Sequence, residues 1–219
     1  MNYTFNFNVV FRNIDVFLKG LGLGLYLAVV SLTFAIIIGL IIALGAVSNH
    51  PTMKKAARIY VTVFRNTPLL ILVYIIYFGL PDLGLILSKP VAFILTLSLY
   101  GAAYMTEVFR AGLESIPKGI IEAGYAIGLS KRMVMLDIRL PIMFRSVLPS
   151  MGNYLISLFK DTSLAAAIAL PEITYITKRL NVESFRTFEV WIAAAFLYVV
   201  TSFLMAKGLG LLEQKWEIK

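Results

Sequence analysis

The chain has 219 residues, of which 59% are hydrophobic and 15% charged, with no cysteine and a formal net charge of +8. That apolar content exceeds what soluble domains carry and makes a lipid bilayer the expected solvent. The lack of cysteine excludes disulfides, thiolate metal sites and a cysteine nucleophile, and the positive balance fits cytoplasmic loops of a membrane protein better than nucleic acid.

The first eighteen residues, MNYTFNFNVVFRNIDVFL, have no basic start followed by a short apolar run and a small-residue cleavage site. The first apolar stretch therefore reads as a retained span. A span needs roughly 20 apolar residues, and five segments qualify, at about 20–47, 59–80, 90–112, 142–170 and 188–212. This predicts one all-α transmembrane domain over 1–219, with no long linker and no tandem repeat. In the first segment Gly20, Gly24, Ala28, Ala35, Gly39 and Ala43 put small residues on one face, a pattern for close helix packing rather than chemistry. Asn66 and Thr67, just before Pro68, read as caps for the second span.

An odd number of spans puts the termini on opposite sides, and the basic loops choose the orientation. Lys54, Lys55, Arg58, Arg65, Arg110, Lys118, Lys131, Arg132, Arg139, Arg145, Lys207, Lys215 and Lys219 fall on one side. Only Arg12, Lys19, Lys89, Lys178, Arg179 and Arg186 fall on the other. The N-terminus is therefore expected outside, and the C-terminus and the segment at about 115–140 inside.

That inner segment contains EAGYAIGLSKR, residues 122–132. Pro117 suits a helix start with Ser115 as cap, Gly128 a helix stop, and Ser130 the cap of a second short helix ending at Leu140-Pro141. Lys118 and Glu122 are spaced for an ion pair, while Ala123, Gly124, Ile127 and Gly128 make one side nearly smooth. Such a face suits either a groove on another protein or the lipid surface.

The pattern Glu122-Ala123-Gly124, with Gly128 and Leu140-Pro141 beyond it, resembles the EAA loop of ABC importer permeases. Here Gly124 replaces the consensus second alanine, and Ile120 stands where the family often has glutamine. YVTVFRNTPLLILVYIIYFGLP at 60–81, AYMTEVFRAG at 103–112 and LFKDTSLAAAIALPEIT at 158–174 resemble further elements of the polar amino acid permeases. The resemblance spans nearly the whole chain.

It implies a type I importer permease fold, five spans in a prokaryotic cytoplasmic membrane, and alternating access driven by ATP. It implies docking through Pro117, Lys118, Glu122, Ala123, Gly124, Ile127 and Gly128 to two cytoplasmic ATPases, which would hold ATP and Mg. It also implies a second permease subunit, most simply a homodimer, and an external amino-acid-binding protein. The chain has no Gly-Lys pair and hence no phosphate-binding Walker loop. Its one histidine, His50, precedes a proline without ligand partners in sequence, so neither an ATPase nor a metal site is expected. The rival reading is an ATP-independent secondary transporter or channel.

Polar residues inside a membrane are costly and mark candidate sites. Ser146, Ser150, Asn153, Ser157 and Asp161 recur at helical spacing, either as glue between helices or as one wall of a substrate path. Asp161 would meet an ammonium or a cationic side chain, with Ser157, Asn153 or Ser163 donating to a carboxylate. Glu107 is either a substrate ligand or the partner of Arg110 three residues on, and Tyr100 and Tyr104 lie on the same side of their helix. A polar or basic amino acid is the substrate these acids favour.

Overall fold

The computed structural model describes residues 3–216, which are predominantly helical, with no strand among the described residues. A short α1 (Asn8–Arg12) leads into α2 (Ile14–Val47), the 34-residue first span, which starts six residues before the apolar run at 20. Its small-residue face is buried, and the reason is backbone approach. A Cβ added to Gly39 would lie 2.7 Å from Met105 Cβ, and one at Gly101 would lie 2.9 Å from Ala35 Cβ. Those contacts seat α2 against α5 (Lys89–Glu114), the third span.

Between them lies the largest departure from the expected layout. The segment drawn as one span at 59–80 is two helices, α3 (Pro51–Asn66) and α4 (Leu69–Tyr74), the latter extended by tighter and wider turns to Leu83. The two directions differ by 102° at Thr67-Pro68. Proline lacks the N–H and disfavours helix in the residue before it, which breaks the ladder there. Asn66 and Thr67 do not cap α4: their side chains donate back to the Thr62 and Val63 carbonyls at 2.7 and 2.8 Å, closing α3.

After α5, α6 (Lys118–Ala126), in the segment expected on the inner side, ends in a tight stop. Gly128 has φ +89°, and the N–H groups of Leu129 and Gly128 donate to Gly124 and Tyr125 carbonyls. That is the glycine-dependent C-terminal motif expected. Ser130 accepts from Met133 N and caps α7 (Lys131–Met133), also as expected. Ser115, however, donates to Gly112 O and closes α5 instead of opening α6. Nor does the chain stop at Leu140-Pro141. It runs from α7 through a widened turn, Val134–Arg139, directly into α8 (Leu140–Asp161), because Pro141 sits in a first turn where its missing N–H costs nothing.

A tight helical turn, Thr162–Ile168, then leads to α9 (Ile173–Ser184) and α10 (Thr187–Trp216). Among the described residues three helices are each long and apolar enough to cross a bilayer, and counting each bent pair as one span gives five. Lys219, counted among the inner cations, lies outside the described residues.

α9 was not foreseen, and its anchor is Glu172. This carboxylate is fully buried and accepts from Thr174 N, Tyr175 N and the Tyr198 hydroxyl, each at 2.8 Å. A Cβ on Gly20 would meet the Glu172 backbone at 3.0 Å, so α2 presses directly on this cap. Replacing Glu172 with alanine strands three donors, each costing about 1–3 kcal/mol when unpaired and buried. The expected result is a fall in Tm of the detergent-solubilised protein by roughly 2–4 °C per kcal/mol, read by thermal unfolding, with Tyr198→Phe giving a smaller drop.

Candidate functional site

Charged and aromatic residues collect along α3, α5 and α8, with Tyr100 and Tyr154 packed against the apolar core. On α5, Glu107 pairs with Arg110 at 2.7 Å, and Arg110 also holds Glu114 at 2.7 Å. The ion-pair reading of Glu107 is therefore the one realised: its carboxylate is committed to its own helix.

One turn outward, the hydroxyls of Tyr100 and Tyr104 hydrogen-bond at 3.0 Å. Tyr104 stacks on Tyr154 of α8 with ring centroids 5.4 Å apart. The guanidinium of Arg65, on α3, lies over the Tyr104 ring, 5.1 Å from its centroid. Arg65 lines one cavity with Glu107, and Asp161 lies two turns beyond Tyr154 along α8. A carboxylate and a guanidinium thus flank a tyrosine cluster in the membrane-embedded part of the fold.

Asp161 is the last residue of α8, half-buried, and its carboxylate forms no hydrogen bond or ion pair among the described residues. The Tyr154 hydroxyl is fully buried and has no hydrogen-bond partner either. A buried donor and a membrane-embedded acid without partners are both costly unless something else meets them.

The polar face of α8 does not glue this subunit together. Ser146 and Ser157 donate to carbonyls of their own helix, Met143 O and Asn153 O, and Ser146, Ser150 and Asn153 are exposed. Ser150 and Ser146 line an open cavity of about 550 Å³ with Arg65, Glu107 and Arg110. Asn153 and Ser157 continue the face toward Asp161, and Ser163 follows in the next turn; none of the three lines that cavity.

In the hairpin formed by α6 and the turns after it, the smooth side splits. Gly124 is buried, and a Cβ there would lie 2.8 Å from Ile138 Cδ1 and 3.2 Å from Val134 Cγ2. Its face packs inward on the next helix. Ala123, Ile127 and Gly128 point outward, with Ile127 77% exposed, and Ile120 and Tyr125 add exposed apolar surface. Pro117, Lys118 and Glu122 are exposed, and Lys118 and Glu122 form no ion pair among the described residues.

Arg65, Tyr154 and Glu172 were not singled out from sequence. Arg65 had a signal: with Lys54, Arg58 and Thr62 it makes a face at spacings of 4, 4 and 3, hidden by starting the second span at 59.

The sequence pattern of the family described as "Binding-protein-dependent transport system inner membrane component" matches residues 35–218. The chain belongs to this family. A probable amino-acid ABC transporter permease protein of Bacillus subtilis (strain 168) is 33% identical over 214 residues, covering 98% of this chain and 95% of its own. The octopine transport system permease protein of Rhizobium radiobacter is 38% identical over 205 residues, 90% of this chain and 84% of its own. The solved structure described as "Crystal structure of an amino acid ABC transporter with histidines" superposes with a TM-score of 0.90 at 29% identity, covering 97% of this chain and all of that one.

The chain is thus an ABC importer permease of the polar amino acid type with the type I importer fold, a multi-pass component of a prokaryotic cytoplasmic membrane. A permease of this kind is the membrane component and not itself the ATPase, and it works with ATPase and binding-protein partners.

Proposed function

We propose that this subunit forms the membrane path for a polar or basic amino acid and moves it inward by alternating access. The observation that carries this reading is the pairing of an unpartnered acid and a guanidinium around Tyr100, Tyr104 and Tyr154. Asp161 receives the α-ammonium or a cationic side chain, and Arg65 receives the carboxylate from its perch on Tyr104. The tyrosine hydroxyls, with Asn153, Ser157 and Ser163, supply neutral hydrogen bonds along the path. Glu107 acts indirectly, fixing Arg110 on the inner side. The relatives named for octopine and found with histidines support a nitrogen-rich substrate.

A single subunit leaves the face formed by α3 and the polar side of α8 open, so two copies around a two-fold axis would close the path. The cytoplasmic hairpin, with Ile127 and Gly128 at its tip and Pro117, Lys118, Glu122 and Ala123 beside them, is the docking element for two ATPases that hold ATP and Mg. Gly124 contributes by keeping the hairpin closed. ATP closure of those partners would open the permease outward to an external binding protein, and hydrolysis would reset it.

The reading is tested by ATPase activity of the reconstituted importer across a panel of amino acids. Stimulation by cationic or amide side chains, and not by aliphatic ones, supports it. Equal stimulation by all would overturn the assignment to Asp161.

A further inference from the structure

α3 is too polar for a lipid-facing span, and its charges lie on one side. Lys54, Arg58, Thr62 and Arg65 share a face that runs about 16 Å along the helix axis. The inner part of that face opens on a cavity of about 500 Å³, walled on the α5 side by Glu107, Arg110 and Glu114. A second cavity, holding Arg65, shares Glu107 and Arg110 with the first. The Glu107–Arg110 pair is thus the common wall between the chamber beside Arg65 and a vestibule facing the cytoplasm.

The charges on the two walls differ in kind. Arg110 is neutralised by two carboxylates at 2.7 Å. Lys54 and Arg58 have no carboxylate within 4.0 Å among the described residues. The vestibule therefore carries two uncompensated cations opposite two partly compensated acids. That is a complement for a zwitterion whose carboxylate faces α3.

Resting on the reading that Arg65 holds the substrate carboxylate, we propose that Lys54 and Arg58 form a cytoplasmic exit subsite for that carboxylate. Arg58 is about 10 Å from Arg65 along the helix axis, and Lys54 about 6 Å further. A substrate leaving a guanidinium for open water across a low-dielectric gap pays desolvation in one step. Successive weak sites divide that step, the same logic by which pores bind ions firmly enough to enter and loosely enough to leave. The acids on α5 keep the ammonium from trailing behind and stop the vestibule from becoming an anion trap.

The test is uptake of radiolabelled L-arginine and L-glutamine into proteoliposomes holding the complete importer, with the amount of assembled complex measured for each variant. The double variant Lys54→Gln/Arg58→Gln is expected to lower Vmax by roughly fivefold or more and KM in proportion, leaving Vmax/KM nearly unchanged, the pattern of slowed release. The charge-keeping variant Lys54→Arg/Arg58→Lys is expected to restore Vmax. An unchanged Vmax, or an equal loss in the charge-keeping variant, overturns the proposal. Arg65→Gln is run alongside and should raise KM. If it does not, while the double variant slows turnover as described, the substrate reading at Arg65 fails and the exit subsite stands alone.

Discussion

Replacing Ile127 with aspartate will abolish ATP-driven uptake while leaving the permease folded in the membrane. Ile127 stands 77% exposed at the tip of the cytoplasmic hairpin, with Ile120 and Tyr125 exposed near it. Burying an aliphatic side chain of this size in a partner's groove contributes about 1.5–3 kcal/mol, and a carboxylate in the same place adds an unpaired buried charge. Uptake is therefore expected to fall by more than about tenfold, with the partner ATPase lost from the purified complex. Gly124→Leu makes the contrast. Its side chain collides with Ile138 and Val134 of the same subunit, so that variant should lower thermal stability as well as coupling. Normal assembly and uptake by Ile127→Asp would show that the hairpin docks elsewhere.

The second large effect lies in the membrane. Asp161→Asn and Arg65→Gln are each expected to raise KM by about 10- to 100-fold, since a hydrogen bond to a charged group contributes about 1.5–3 kcal/mol. The two should differ in kind. Asp161→Asn should lose cationic substrates more than neutral ones, whereas Arg65→Gln should weaken all amino acids alike, because every one brings a carboxylate. Uptake kinetics with a cationic and a neutral amino acid read both effects. Equal losses for the two substrates in Asp161→Asn would remove that residue from the side-chain end of the site.

Much of the frame was legible because its causes are local. The spacing of Gly20, Gly24, Ala28, Ala35, Gly39 and Ala43 is a packing instruction carried by one helix, and all six are buried. Gly128 marks a turn whose hydrogen bonds close within six residues. Apart from Ser115, which closes its own helix on Gly112, the failures involve partners distant in sequence or a bend that hydropathy does not register. Pro68 was read as the start of a helix when it also ends another at a sharp angle. Averaging that bend into one span split the Lys54–Arg65 face and removed Arg65 from consideration. Gly124 lay on an apparently free face because helical periodicity gives the direction of a side and not what covers it; Val134 and Ile138 do. Glu172 is a fourth case: an acid after a proline reads as a loop, and only Tyr198, 26 residues on, completes its set of donors.

The central claim is that this chain passes amino acids only when coupled to ATP hydrolysis by a partner. The most direct measurement is uptake of labelled amino acid into proteoliposomes containing the permease, with and without the ATPase, the external binding protein and enclosed ATP. Uptake that requires all three and accumulates substrate against its gradient is the predicted result. Uptake by the permease alone, or accumulation that follows an ion gradient without ATP, would contradict it.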